Sequence, residues 1–141
     1  MKVIELEGGL LDYWVAKALG DREFRLRDGK CESRFHPDFE FHLFAPSVAW
    51  HEGGPIIERD QIFLNPPTTV HYQGGPNAGW KVYDHWRATV SAATRTLPPK
   101  NEFQEQMKIR SVGRGAGETA LIAAMRAKVA SHFGEDVPEV E

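Results

Sequence analysis

Trp80-Lys81-Val82-Tyr83-Asp84-His85-Trp86-Arg87-Ala88-Thr89-Val90 alternates between two kinds of side chain. Trp80, Val82, Trp86, Ala88 and Val90 form one set, interrupted by Asp84; Lys81, Tyr83, His85, Arg87 and Thr89 form the other. A period of two is a strand signal, and a strand apolar on one side only belongs to a sheet with one covered and one open face. The same alternation puts Asp84 and His85 on opposite faces, so no dyad between them is expected.

Helices near each end of the chain are available to cover the apolar face. Over Leu10–Leu19, Leu11, Trp14, Val15 and Ala18 recur at the i, i+3, i+4, i+7 spacing of a single buried stripe, with Gly8-Gly9 before it and Gly20 as a left-handed stop. Over Ala120–Phe133 the stripe is Ile122, Met125, Val129 and Phe133, with Thr119 as N-cap and Gly134 as stop. Arg126 and Lys128 stand toward the C-terminal half, where the helix dipole favours cations.

The remaining segments read as strands and turns. Phe24 and Leu26 alternate with Arg25 and Arg27 up to an Asp28-Gly29 turn, and Phe39, Phe41 and Leu43 alternate before Pro46. Gly53-Gly54-Pro55 reads as a turn, followed by a strand from Ile56 to Leu64 that Asn65-Pro66-Pro67 ends. Asn101–Arg110 reads as a short helix or a loop after Pro98-Pro99. The order helix, strands, helix predicts an α+β fold: an antiparallel sheet with the N-terminal and C-terminal helices packed on one side.

The chain has 141 residues, so a single domain over 1–141 is expected. Hydrophobic residues are 41% and charged residues 26%, which fits a folded globule and not a disordered chain. A net charge of −3 makes duplex DNA an unlikely partner, because such binding rests on neutralising phosphates with excess Lys and Arg. Cys31 is the only cysteine, which excludes an intrachain disulfide and any zinc site that needs two thiolates. No apolar run of the roughly 18 residues that a membrane span needs is present, and the start Met1-Lys2-Val3-Ile4-Glu5 lacks a signal-peptide core. The expected location is therefore the cytoplasm.

Three segments carry a resemblance: Gly9-Leu10-Leu11-Asp12-Tyr13-Trp14-Val15-Ala16-Lys17-Ala18, Trp50-His51-Glu52-Gly53-Gly54-Pro55-Ile56-Ile57-Glu58-Arg59, and Leu121-Ile122-Ala123-Ala124-Met125-Arg126. Together, and in this order, they resemble the NinX-like family of small phage and prophage proteins. The Gly-Gly-Pro-Ile-Ile-Glu-Arg run is the most specific part. Where family members often open the last helix with Thr-Pro, this chain has Thr119-Ala120, which keeps the cap and loses a favoured first-turn residue. The resemblance implies a phage origin and an accessory role, and it assigns no catalytic residue.

No recognised catalytic constellation is present, and no cofactor motif is read. His51-Glu52 begins like a zinc-protease motif, but Pro55 stands where its second histidine would be. No Gly-x-Ser-x-Gly elbow occurs, and Cys31 has no activating neighbour in sequence. Gly113-Arg114-Gly115-Ala116-Gly117-Glu118-Thr119 runs into the last helix and has two readings. One is a flexible glycine connector; the other is a phosphate cradle, in which Arg114 forks onto an anion near the helix N-terminus. Trp50 beside Gly53-Gly54-Pro55 and Trp80 after Gly74-Gly75-Pro76-Asn77-Ala78-Gly79 could frame one cleft, or could plug the ends of the sheet. The polar strand face with His85 and Arg87 is either solvated or the floor of a pocket. The expected ligand-binding set is Trp50, Arg59, Trp80, His85, Arg87 and Arg114, stacking and forking onto a small phosphate-containing ligand such as a host nucleotide signal. The alternatives are a single-stranded nucleic-acid accessory protein and an inhibitor of a host protein; self-association is a further expectation.

Overall fold

The computed structural model describes residues 1–97 and 107–140. After a 3-10 turn at Val3–Glu5 come α1 (Gly8–Leu19), β1 (Glu23–Arg27), β2 (Lys30–Arg34), β3 (His42–Leu43), α2 (Trp50–Asp60), β4 (Phe63–Asn65), β5 (Thr68–Tyr72), β6 (Gly79–Tyr83), β7 (Trp86–Leu97), β8 (Met107–Gly117) and α3 (Ala120–Phe133). The fold is α+β, and its strands pair antiparallel. They form three small sheets, ordered β1-β2-β3, β4-β7-β8 and β5-β6, where a single sheet was expected. α1 packs on β1 and β2, α3 packs on β7 and β8, and the two helices touch each other.

Local chemistry accounts for several boundaries. Asp28 and Gly29 both take positive φ, 52° and 74°, as a two-residue hairpin between β1 and β2 requires. Gly20 ends α1 at φ 68°, and the Thr119 hydroxyl caps α3 by accepting from the Ile122 amide at 3.1 Å.

Elsewhere tertiary packing overrides the local reading. The expected Gly53-Gly54-Pro55 turn lies inside α2, and Ile56 is helical, so the expected Ile56–Leu64 strand shrinks to Phe63–Asn65. Gly53 lets the helix seat against the Pro46 carbonyl and Leu121, and Ile56 is buried there; that packing outweighs the helix-breaking tendency of Gly and Pro. The alternating Phe39, Phe41 and Leu43 yield only the two-residue β3, with Phe39 and Leu43 exposed. Phe41 lies between the guanidinium groups of Arg25 and Arg34, 4.0 and 4.3 Å from its ring centre. The expected helix or loop at Asn101–Arg110 lies partly outside the described residues; from Met107 onward the chain is β8.

The glycine run is neither a loop nor a connector. Gly113, Gly115 and Gly117 stand opposite Val90, Ala88 and Trp86 in the β7–β8 register, on the side covered by α3. A side chain at any of the three would run into α3. The glycines bring the strand close enough for Ala123, Ala127 and Ser131 to lie against its backbone. This explains why the buried set of α3 departs from the expected stripe: Ala120, Leu121, Ala123, Ala124, Met125, Ala127, Val129, Ala130 and Ser131 are inside, whereas Ile122 and Phe133 of that stripe are only half-buried. Lys128, read from the sequence only as a cation that the helix dipole favours, is buried and paired with Asp60 of α2 at 2.6 Å.

A second buried charge lies under α1. Asp12 is 3% exposed and accepts a hydrogen bond from the Ser47 amide at 2.9 Å. Burial, with a smaller push from Glu52, raises its pKa from 3.8 to about 6, while the bonds from Ser47 pull the other way. The folded state thus holds this proton to higher pH than the unfolded chain does, so stability falls as pH rises from about 3.8 to about 6 and levels off above. Asp12→Asn keeps an acceptor for Ser47 and removes the charge. It should gain stability at pH 7, by at most roughly 3 kcal/mol, and gain nothing below pH 4. The check is the difference in melting temperature between parent and variant across that range.

Candidate functional site

Among the described residues, α3 covers the β4-β7-β8 sheet on one face. On its other face the register groups Phe63, Asn65, Arg87, Thr89, Arg114 and Ala116. Arg114 stands opposite Thr89 and Arg87 opposite Ala116, so the two arginines are diagonal neighbours. Around the β8 edge of this face runs a cleft of about 520 Å3, whose lining includes Lys2, Asn65, Arg87, Thr89, Arg114, Arg126 and Glu135. A second chamber of about 470 Å3 adjoins it and shares Ile4, Arg87, Ala116 and Arg126; its further walls include Val82, Tyr83, His85, Glu7, Asp84 and Glu118.

Each cation has a different anchor. The Arg87 guanidinium lies 3.5 Å from the centre of the Tyr83 ring, and the Tyr83 hydroxyl is 2.9 Å from that of Tyr72. Among the described residues no carboxylate lies within 4.0 Å of Arg87 or Arg114, and the buried Nε–H of Arg87 has no acceptor. Arg126 is used structurally: Nε donates to the Leu6 carbonyl at 2.9 Å and Nη1 to the Ala116 carbonyl at 2.7 Å, tying the N-terminal segment to the β8 edge. Burial lowers its pKa, and Glu7 and Glu118 oppose that shift. Lys2 sits 4.0 Å from Asp136 in an exposed pair.

The break between β6 and β7 corrects one expectation. Asp84 and His85 lie outside both strands, and His85 Nδ1 is 2.7 Å from Asp84 Oδ1. Strand alternation does not apply at a bend, so the two side chains can turn to the same side. The bond from His85 holds the Asp84 carboxyl below its ordinary range.

Of the residues expected from sequence, Arg87 and Arg114 line the first cleft, and His85 and Arg87 line the adjoining chamber. Trp80 stands on the β5–β6 hairpin, 73% exposed. Trp50 and Arg59 lie on α2. Arg59 lines a separate groove of about 320 Å3 with Arg22, Phe35, Phe44, His51 and Glu52, and it pairs with Asp60 at 3.3 Å. The two tryptophans therefore do not frame a common cleft. Lys2 and Arg126 escaped the sequence reading. The one available signal was an arginine amid an alanine-rich helix, and the helix dipole already accounted for it.

The interior chemistry is quiet. Cys31 is fully buried, and burial pushes its thiol up to about 12, so it is not a thiolate nucleophile at neutral pH. Among the described residues no group of three or more His, Cys, Asp or Glu is placed to hold a metal ion, and no helix is long and apolar enough to cross a membrane.

Fold and cleft together define a small α+β protein whose open sheet face carries, at a divided cleft, two arginines without a carboxylate partner among the described residues. The chain belongs to the NinX family, typified by NinX of bacteriophage P22; the family match covers residues 2–132. Comparison with curated proteins gives no match.

Proposed function

We propose that this phage-family protein is a non-catalytic binder that sequesters a small phosphate-containing molecule in the host cytoplasm, with a nucleotide defence signal as the ligand class. The observation that supports this reading is the Arg87–Arg114 pair. Guanidinium groups without a carboxylate partner among the described residues, one of them stacked on a tyrosine and holding a buried N–H without an acceptor there, are preorganised for a bidentate anion. His85 borders the same site and Lys2 adds a further cation at its rim.

The test is a thermal-shift panel of nucleotides and cyclic nucleotides, beside a salt series on single-stranded DNA and RNA. Saturable stabilisation with modest salt dependence is expected, because a few charge-assisted bonds in a sheltered cleft are screened less than surface contacts. Arg87→Ala and Arg114→Ala should each weaken binding more than tenfold, about 1.4 kcal/mol. Loss of binding in Arg59→Ala with Arg87→Ala silent would move the ligand to the α2 groove. A flat panel with tight, salt-sensitive strand binding would replace the reading with a nucleic-acid one. Silence in both would point to a host protein as the partner.

A further inference from the structure

We propose that the open face of the β4-β7-β8 sheet binds a whole mononucleotide, its phosphate on Arg87 and Arg114 and its aromatic base stacked on Phe63. The inference rests on the phosphate reading above and adds the rest of the ligand to it. Strand register is what joins the three side chains. Phe63 stands opposite Thr89, and Thr89 stands opposite Arg114, so one cross-strand row reads Phe63, Thr89, Arg114. The next row on the same face reads Asn65, Arg87, Ala116. Phe63 and Arg87 are thus diagonal neighbours on adjacent strands, about 7–8 Å apart, which is within reach of an aromatic and a long side chain. Asn65, Thr89, Arg87 and Arg114 all line the arginine cleft, and Phe63 is the next residue on that face of β4.

The Phe63 ring lies open. It is 66% exposed, whereas its neighbours turn inward: Ile62 is buried and Leu64 packs on the core. Among the described residues no other aromatic ring and no cation lies against it. Among the described strands, β4 stands at the edge of its sheet. A phenyl ring left mostly in water there contributes little burial, and an apolar edge strand invites the edge-to-edge pairing that a lysine would discourage. Stability and solubility therefore do not account for phenylalanine at this position. An open ring on a sheet face is a stacking surface for any nucleobase, since every base has a π face.

The chemistry along this face matches the parts of a nucleotide. Its two rows hold two arginines and no carboxylate, so the face itself attracts a phosphate without repelling it. Thr89 stands between the ring and Arg114, and its hydroxyl both donates and accepts, as a sugar hydroxyl does. Two guanidinium groups alone accept any phosphate; the ring adds preference for one that carries a base. Trp80 is a second open ring, but it belongs to the separate β5-β6 sheet and lines neither chamber, so it serves as the control.

The experiment titrates adenosine monophosphate, uridine monophosphate, ribose 5-phosphate and inorganic phosphate into the parent and into Phe63→Ala, Phe63→Leu, Phe63→Tyr and Trp80→Ala. The parent should bind both nucleotides about tenfold more tightly than ribose 5-phosphate, or better. Phe63→Ala and Phe63→Leu should erase that margin without changing the sugar-phosphate affinity or the melting temperature of the free protein. Phe63→Tyr and Trp80→Ala should keep it. The leucine variant separates stacking from mere apolar contact, because it removes the ring and stays hydrophobic. Equal affinity for ribose 5-phosphate and the nucleotides in the parent would overturn the base platform and leave the phosphate reading standing. So would a margin that survives in Phe63→Leu, one that is lost in Trp80→Ala, or a Phe63→Ala variant that weakens every probe alike. If no probe binds the parent, the phosphate reading itself falls, and the platform with it.

Discussion

Gly115→Val is expected to leave the chain unfolded or nearly so. A Cβ built on Gly115 lies 2.5 Å from the Ala127 amide nitrogen and 2.9 Å from the Arg126 Cβ, and overlaps the Ala123 carbonyl oxygen. Two of these three atoms are α3 backbone, so no rotamer change relieves the collision; strand and helix must separate. Overpacking ordinarily costs 1–3 kcal/mol, but here about 4 kcal/mol or more is expected, a large share of the stability of a typical domain. Displacing β8 away from α3 would also strain its pairing with β7, which ties it into the sheet through the Ala88–Gly115 register. Circular dichroism and a denaturant melt are the measurements. A folded Gly115→Val protein with parental stability would show that α3 does not lie on the glycines of β8.

Met125→Asp should be comparably damaging, for an electrostatic reason. Met125 is fully buried in the core cluster with Val15, Val129 and the alanines of α3. An aspartate there is either ionised without a partner or protonated at a steep cost, and about 3–5 kcal/mol is expected. The contrast with Lys128, three residues on, is informative: that charge is tolerated at similar depth because Asp60 meets it at 2.6 Å. A Met125→Asp variant that melts with the parent would contradict the burial of this helix face.

Much of the candidate site was visible in the sequence as residue types, and little of it as an arrangement. Arg87 stood out from the period-two pattern and Arg114 from the glycine run, and both line the cleft. Trp50, Arg59 and Trp80 stood out by the same kind of reasoning, yet α2 carries Arg59 to a separate groove, and Trp50 and Trp80 stand exposed outside the cleft lining. Which arginines are neighbours depends on strand register, and register between β7 and β8 joins residues that lie far apart in the chain.

The sequence by itself determined the features whose causes are local: the α+β class, the extents of α1 and α3 with their Gly20, Thr119 and Gly134 boundaries, and the Asp28-Gly29 hairpin turn. Each depends on backbone preferences or on hydrophobic period within a few residues. The tertiary structure decided the rest. It made Gly53-Gly54-Pro55 helical, turned Gly113–Gly117 from an apparent connector into the strand beneath α3, broke the Trp80–Val90 alternation at Asp84-His85, and buried Lys128 beside Asp60. In three of these what outweighs the local preference is a packed neighbour from another segment: the Pro46 carbonyl and Leu121, the backbone of α3, or a carboxylate from α2; at Asp84-His85 it is the end of both strands that frees the side chains from alternation. Glycine is the clearest instance, because a missing side chain reads locally as freedom, and only the neighbour packed against it shows that it is a requirement for close approach.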